Sequence, residues 1–173
     1  GSLVMKTEIL RISALAPEPD KVAKAAKVIK NGGLVIIPTE TVYGIAANMY
    51  DMQALERLYR VKKRPQDKNF SLHIADKHSV YEYAAEVPPA ACRLMLKFWP
   101  GPLTIIFKSP DATIGMRMPD HQAALEIIRE TGNPLVCPSA NISGKPAPRN
   151  IEQALEDLNG LVDLAVDAGP ARL

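Results

Sequence analysis

Apolar positions along this chain repeat with two alternating periods. In KVAKAAKVIK, Val22, Ala25, Ala26 and Ile29 fall at i, i+3, i+4 and i+7 before Asn31-Gly32-Gly33, which predicts an amphipathic helix with a glycine stop. LVIIP (34–38) is short and wholly apolar, as a buried strand is. DMQALERLYRVKK (51–63) predicts a helix capped by Asp51 that buries Met52, Leu55, Leu58 and Tyr59. FSLHIA (70–75) reads as a strand, and the segment from Val87 to Phe98 as a helix. LTIIFK and TIGMRM follow one another closely enough to predict an antiparallel hairpin. Asp120 opens a helix ending at Gly132, PLVCP is a strand, and Asn150 with Gln153 forms a capping box ahead of Ile151, Ala154, Leu155 and Leu158. LVDLAV supplies a last strand. Strands alternating with helices predict an α/β class, with a single mixed parallel and antiparallel sheet flanked by helices. The hairpin argues against an all-parallel, doubly wound sheet.

The chain's 173 residues fit one domain, with 47% hydrophobic and 23% charged residues, an ordinary globular balance. Gly1 and Ser2 ahead of Met5 have the character of a tag remnant, so residues 1–4 are set aside and residues 5–173 are taken as the domain. Without a signal-like or membrane-length apolar run, and with Cys92 and Cys137 far apart, a cytoplasmic protein with no membrane partner is expected. The net charge of +2 is uninformative, but its distribution is not. Six basic residues and one acid, Asp67, occupy RLYRVKKRPQDK (57–68), which runs from a helix into a proline loop. That run is either a solvated helix face or an anion-binding edge.

Candidate chemistry lies at strand ends. In LVCPSANISGKPAPRN (135–150), Ser139, Asn141, Ser143 and Lys145 can bind anionic oxygens beyond the end of a strand, where open α/β sheets place ligands. A phosphate-binding P-loop is excluded, since that motif needs glycine at 139 and a hydroxyl at 146, where Ser139 and Pro146 stand. PTETVYG (38–44) is a second such end; Thr39, Thr41 and Tyr43 share a side if the chain stays extended, and Tyr43 could equally be a buried strand residue. His73, between Leu72 and Ile74, is either a hydrogen-bonded core residue, the commoner fate, or a ligand contact. Arg117 alternates with Met116 and Met118, and an arginine in a strand pairs with a carboxylate of the protein or of a ligand. No G-x-S-x-G, H-E-x-x-H or G-x-G-x-x-G occurs. Hydroxyls with Lys and Arg equip a chain for phosphoryl or nucleotidyl transfer, where the protein positions groups and neutralises charge.

PTETVYG, KKRP, LHIA, WPGPLT, GMRMPDH and SANISGKPAP occur in the order and spacing of the YrdC-like family, the threonylcarbamoyl-AMP synthases, from about residue 20 to residue 173. The K-x-R and S-x-N signature of that family stands as Lys62-Lys63-Arg64 and Ser139-Ala140-Asn141. The resemblance implies a twisted sheet with a concave, basic face. It implies a nucleotidyltransferase that makes threonylcarbamoyl-AMP and pyrophosphate from L-threonine, bicarbonate (as CO2) and ATP with Mg2+. The product would pass to a tRNA threonylcarbamoyltransferase complex for threonylcarbamoyladenosine modification. Carried over by residue, Lys62 and Arg64 would be catalytic, Thr41, His73, Arg117 and Cys137 would bind L-threonine, and Lys62, Arg64, Lys68, Thr113, Ser139 and Asn141 would bind the nucleotide. No protein ligand for the metal is implied. The chain departs from the family in the short connection SPDA (109–112) and in ending at DAGPARL, so the domain is expected to be incomplete at its C-terminus. Two other functions compete: a non-catalytic tRNA or double-stranded RNA binder, which the 5% aromatic content does not favour, and a carbamoyl-adenylate-forming domain of a carbamoyltransferase maturation factor.

Overall fold

The computed structural model describes residues 6–66 and 68–173; the tag remnant expected at residues 1–4 and the lone acid Asp67 lie outside the described residues. Among the described residues fourteen elements follow one another, and eight of them are strands that join in one sheet. The strands are β1 (Glu8–Arg11), β2 (Val35–Pro38), β3 (Tyr43–Asn48), β4 (Leu72–His73), β5 (Ile105–Lys108), β6 (Thr113–Arg117), β7 (Leu135–Val136) and β8 (Leu164–Asp167). Their order is β1-β8-β2-β3-β7-β4-β6-β5. The β1/β8, β8/β2 and β4/β6 pairs are parallel and the other four are antiparallel, so the mixed sheet and the β5–β6 hairpin are as expected. Ser109–Ala112 closes that hairpin as a tight turn, Ser109 N–H donating to Ala112 O at 3.2 Å.

The helices are α1 (Pro19–Lys30), α2 (Met52–Lys62), α3 (Ser79–Tyr83), α4 (Pro89–Phe98), α5 (Gln122–Thr131) and α6 (Ile151–Leu158). Pro19 starts α1, where a missing N–H costs nothing, and Asn31 with Gly32 stops it. Helices α1 and α5 cover one face of the sheet, where Val22, Ala25 and Ile29 meet Ile127, Val35, Ile37, Leu135 and Val166. On the other face, Leu58, Met95 and Leu158 from α2, α4 and α6 pack on Ile36, Ile45, Leu72, Met116 and Val136. Burying each large aliphatic side chain contributes about 1.5–3 kcal/mol, enough to hold two-residue strands such as β4 and β7 in place.

The structure corrects several expectations. Met52 is 72% exposed, because α2 turns the stripe Ala54, Leu58 and Lys62 inward instead. Helix α5 begins at Gln122, where the His121 Nδ1 accepts from Ala124 N–H, two residues after the expected start. Thr39 and Thr41 do not continue an extended strand: Thr39 Oγ1 donates to Val42 O at 2.6 Å and accepts from Val42 N–H, folding 39–42 into a turn. Tyr43 is therefore the buried strand residue, its hydroxyl donating to Gly169 O at 2.6 Å.

Candidate active site

The basic run of α2 does not stay on one solvated face. Arg57 donates to Asp163 Oδ2 at 2.6 Å, while Lys62 is buried at the end of the helix. Its Nζ donates to Ser139 O at 2.6 Å, Asn141 O at 2.9 Å and Asn141 Oδ1 at 3.3 Å. One ammonium thus ties the K-x-R signature to the S-x-N signature across 77 residues of sequence. Burial, and then the charge of Arg64, draw the Lys62 pKa down to about 8. Lys63 then takes a left-handed conformation (φ 53), rare for a residue with a side chain, and turns the chain out of the helix. Arg64 follows, its Nη2 donating to Asn69 O at 2.8 Å and its guanidinium lying 4.6 Å above the Phe70 ring. Phe70 stacks on Tyr59 at 4.4 Å. The buried Nε of Arg64 has no partner among the described residues.

His73 and Arg117 are opposed across the β4/β6 ladder, and His73 is opposed to Leu135 across β4/β7. Opposed residues share a face, and alternation from Leu135 puts Cys137 and Ser139 on that face too. Ser139 in turn bridges to Gly44, where an added Cβ would come within 2.6 Å of Cys137 Sγ, so only glycine lets the two segments approach. His73 is buried and its Nδ1 is unpartnered among the described residues. Burial, reinforced by the Arg117 charge, lowers its pKa to about 3, so the ring is neutral. Burial also raises the Cys137 pKa to about 12, against the opposing pull of Arg117 and Lys62; this cysteine is a thiol and not a nucleophile.

Arg117 meets a carboxylate of the protein itself. Its Nη2 is ion-paired with the buried Glu40, and its Nε donates to Gly101 O at 3.0 Å. Glu40 Oε2 accepts from Asp120 N–H at 2.7 Å. Glu40 is absent from the candidates drawn from sequence; the signal for it was an acid flanked by Thr39 and Thr41 at a strand end, together with a strand arginine needing a partner. It brings the PTETVYG turn, and with it Thr41, to Arg117. Thr41 Oγ1 lies 3.2 Å from Thr39 Oγ1. A cavity of about 370 Å³ adjoins this turn, lined among others by Thr39, Glu40, Asp120, His121 and Arg172.

Other candidates sit differently. Asn141 commits its side chain to the protein, accepting from Lys62 of α2 and donating to Lys145 O of its own loop at 2.6 Å. Lys145 itself pairs with Asp157. Lys68 and Thr113 are exposed. Thr113 shares the Arg117 face but starts the strand that Arg117 ends, about 13 Å away at 3.3 Å per residue. The structure thus unites Lys62, Ser139 and Asn141 by direct bonds, and sets His73, Arg117 and Cys137 beside one another. Arg64 adjoins the first group. Among the described residues no group of three or more His, Cys, Asp or Glu could hold a metal ion.

These features define a class: an α/β domain with one mixed sheet, whose strand ends bring guanidinium, ammonium and hydroxyl groups close together. The chain belongs to the Sua5/YciO/YrdC family, whose model, described as telomere recombination, matches residues 27–173. A Bacillus subtilis (strain 168) relative named threonylcarbamoyl-AMP synthase is 41% identical over 167 residues, covering 90% of this chain and 48% of the relative. A Pyrococcus abyssi relative of the same name is 39% identical over 163 residues, 88% of this chain and 48% of its own length. The crystal structure of P. abyssi Sua5 complexed with L-threonine superposes with a TM-score of 0.91 at 38% identity, covering 96% of this chain and 52% of that one. The chain therefore spans about half the length of the curated relatives it matches.

Proposed function

We propose that this chain carries the site for ATP-dependent synthesis of threonylcarbamoyl-AMP from L-threonine and bicarbonate (as CO2), releasing pyrophosphate. One observation supports this most: His73 and Arg117, adjacent on one sheet face, lie on the same face as the Ser139 segment that Lys62 holds, which pairs an amino-acid subsite with a nucleotide subsite. The names of the relatives, and the threonine in the P. abyssi complex, agree with it.

In this reading Arg117 receives the threonine carboxylate, and Thr41, the neutral His73 and the Cys137 thiol shape the pocket around the side chain and amine. Arg64 is the catalytic cation. Arg64 and Lys68 face the triphosphate, while Lys62 chiefly fixes the Ser139–Asn141 loop on which the nucleotide rests, with Thr113 at its far end. Threonine's amine captures CO2 as a carbamate, whose oxygen attacks the α-phosphorus as the pyrophosphate oxygen leaves. The proton that the amine releases on forming the carbamate leaves with the hydroxide of bicarbonate as water, and charge spreading onto the leaving pyrophosphate is met by Arg64, so alignment and electrostatics carry the reaction. Mg2+ would be held by phosphate oxygens of the nucleotide and would neutralise the triphosphate. The product would go to a tRNA threonylcarbamoyltransferase complex in the cytoplasm. Among the described residues no helix is long and apolar enough to cross a membrane.

Calorimetric titration with L-threonine and then with a non-hydrolysable ATP analogue tests the reading. Both are expected to bind, with threonine preferred over serine. Replacing Arg64 with Ala is expected to lower threonine-dependent pyrophosphate release at least a hundredfold with the thermal transition unchanged. RNA binding with no response to either small molecule, or turnover of carbamoyl phosphate indifferent to threonine, would replace this function by one of its rivals.

A further inference from the structure

We propose that Glu40 is the positioning residue for threonine binding: its carboxylate fixes the Arg117 guanidinium in the orientation that receives the amino-acid carboxylate. The proposal rests on the reading that Arg117 binds threonine, and goes beyond it by assigning what holds that arginine.

Three features of the geometry carry it. Glu40 is buried to 1% exposure, and each oxygen has its own partner, Arg117 Nη2 at the end of β6 and Asp120 N–H in the segment leading to α5. A carboxylate committed at both oxygens is structural and is not itself the group that meets a ligand. Arg117 is likewise gripped at two atoms, Nη2 by Glu40 and Nε by Gly101 O, and none of the described residues bonds Nη1. Two anchors at separate nitrogens fix the plane of a guanidinium and leave one nitrogen for a further acceptor. Gly101 is itself held there, its N–H donating to Met118 O, next to Arg117, at 2.8 Å.

Charge makes the same demand. Arg117 is buried beside a neutral imidazole, and a lone buried cation would turn away toward water. Glu40 supplies the opposite charge, and the unpartnered Nδ1 of His73 is in the residue opposite Arg117 in the adjacent strand. The backbone of Glu40 is fixed by its neighbours: Thr39 Oγ1 accepts from the N–H groups of Thr41 and Val42 and donates to Val42 O. The same turn therefore sets both Thr41 and the arginine.

The test measures L-threonine and ATP-analogue affinity separately in the full-length protein, in Glu40→Gln, in Arg117→Met and in the double variant. A glutamine can accept from Arg117 or from Asp120 N–H but presents an NH2 to the other. Glu40→Gln is expected to weaken threonine at least tenfold while the analogue stays within twofold, and to add nothing further in the Arg117→Met background. If Glu40→Gln fails to fold, Glu40→Asp keeps the charge, shortens the reach by one methylene, and is expected to show the same split. Equal loss of both ligands, or undiminished threonine affinity, overturns the role of Glu40. A wild-type protein that binds the analogue and not threonine overturns the reading of Arg117 beneath it, and the proposal with it.

Discussion

His73 shows how much one residue's surroundings change its chemistry. In the unfolded chain its imidazole titrates at the ordinary 6.5, whereas burial and Arg117 hold it to about 3 in the fold. Between those values the unfolded chain binds a proton that the native one does not, so the stability His73 contributes at neutral pH is lost as pH falls through that window. The slope approaches about 1.4 kcal/mol per pH unit. His73→Gln is expected to flatten the stability curve below pH 6.5 relative to wild type, in urea unfolding at a series of pH values. Parallel curves would mean that the histidine is protonated in the native protein. His73 and Arg117 were both legible as strand residues of uncertain use. Their adjacency was not, because the two residues lie 44 positions apart in the chain and only the ladder puts them side by side.

At the scale of elements, the end of α2 matters most. The helical period predicts which positions of DMQALERLYRVKK are apolar, but not that Lys62 continues the buried stripe of Ala54 and Leu58. A lysine there is stable because three oxygens of another segment receive its protons. As pH rises through about 8, Lys62 sheds its proton and one of its donors, and ATP-analogue affinity is expected to fall with an inflection near that pH. Lys62→Arg, charged throughout, should bind without the inflection. An analogue affinity flat from pH 7 to 9.5 in wild type would show that the charge of Lys62 does not hold the loop. Helix boundaries were readable to within two residues where a cap announced them, as at Asp51 and Asn150. Strand β1 gave no comparable signal, since Glu8, Ile9, Leu10 and Arg11 are exposed or half-buried on a sheet edge and show no clean alternation.

Across the whole molecule, the fold joins distant stretches through a few polar links. Tyr43 donates to Gly169 O and accepts from Ala168 N–H, tying the PTETVYG strand to the segment after β8. Tyr43→Phe would leave both backbone groups unpaired, and is expected to cost about 1–3 kcal/mol in chemical denaturation, with weaker threonine binding. A loss under about 0.5 kcal/mol would show that water replaces the hydroxyl. The sequence alone determined the class of fold, because hydrophobic period, caps and glycine stops are local and each is written in a few neighbouring residues. It also determined which residue types were available for an anion. Tertiary structure decided their partners: it gave Arg117 the carboxylate of Glu40, gave Lys62 the carbonyls of Ser139 and Asn141, and turned Thr39 away from an extended path. Those pairings depend on strand order and register, which arise from packing both faces of an eight-stranded sheet at once and leave no mark in any single stretch of chain.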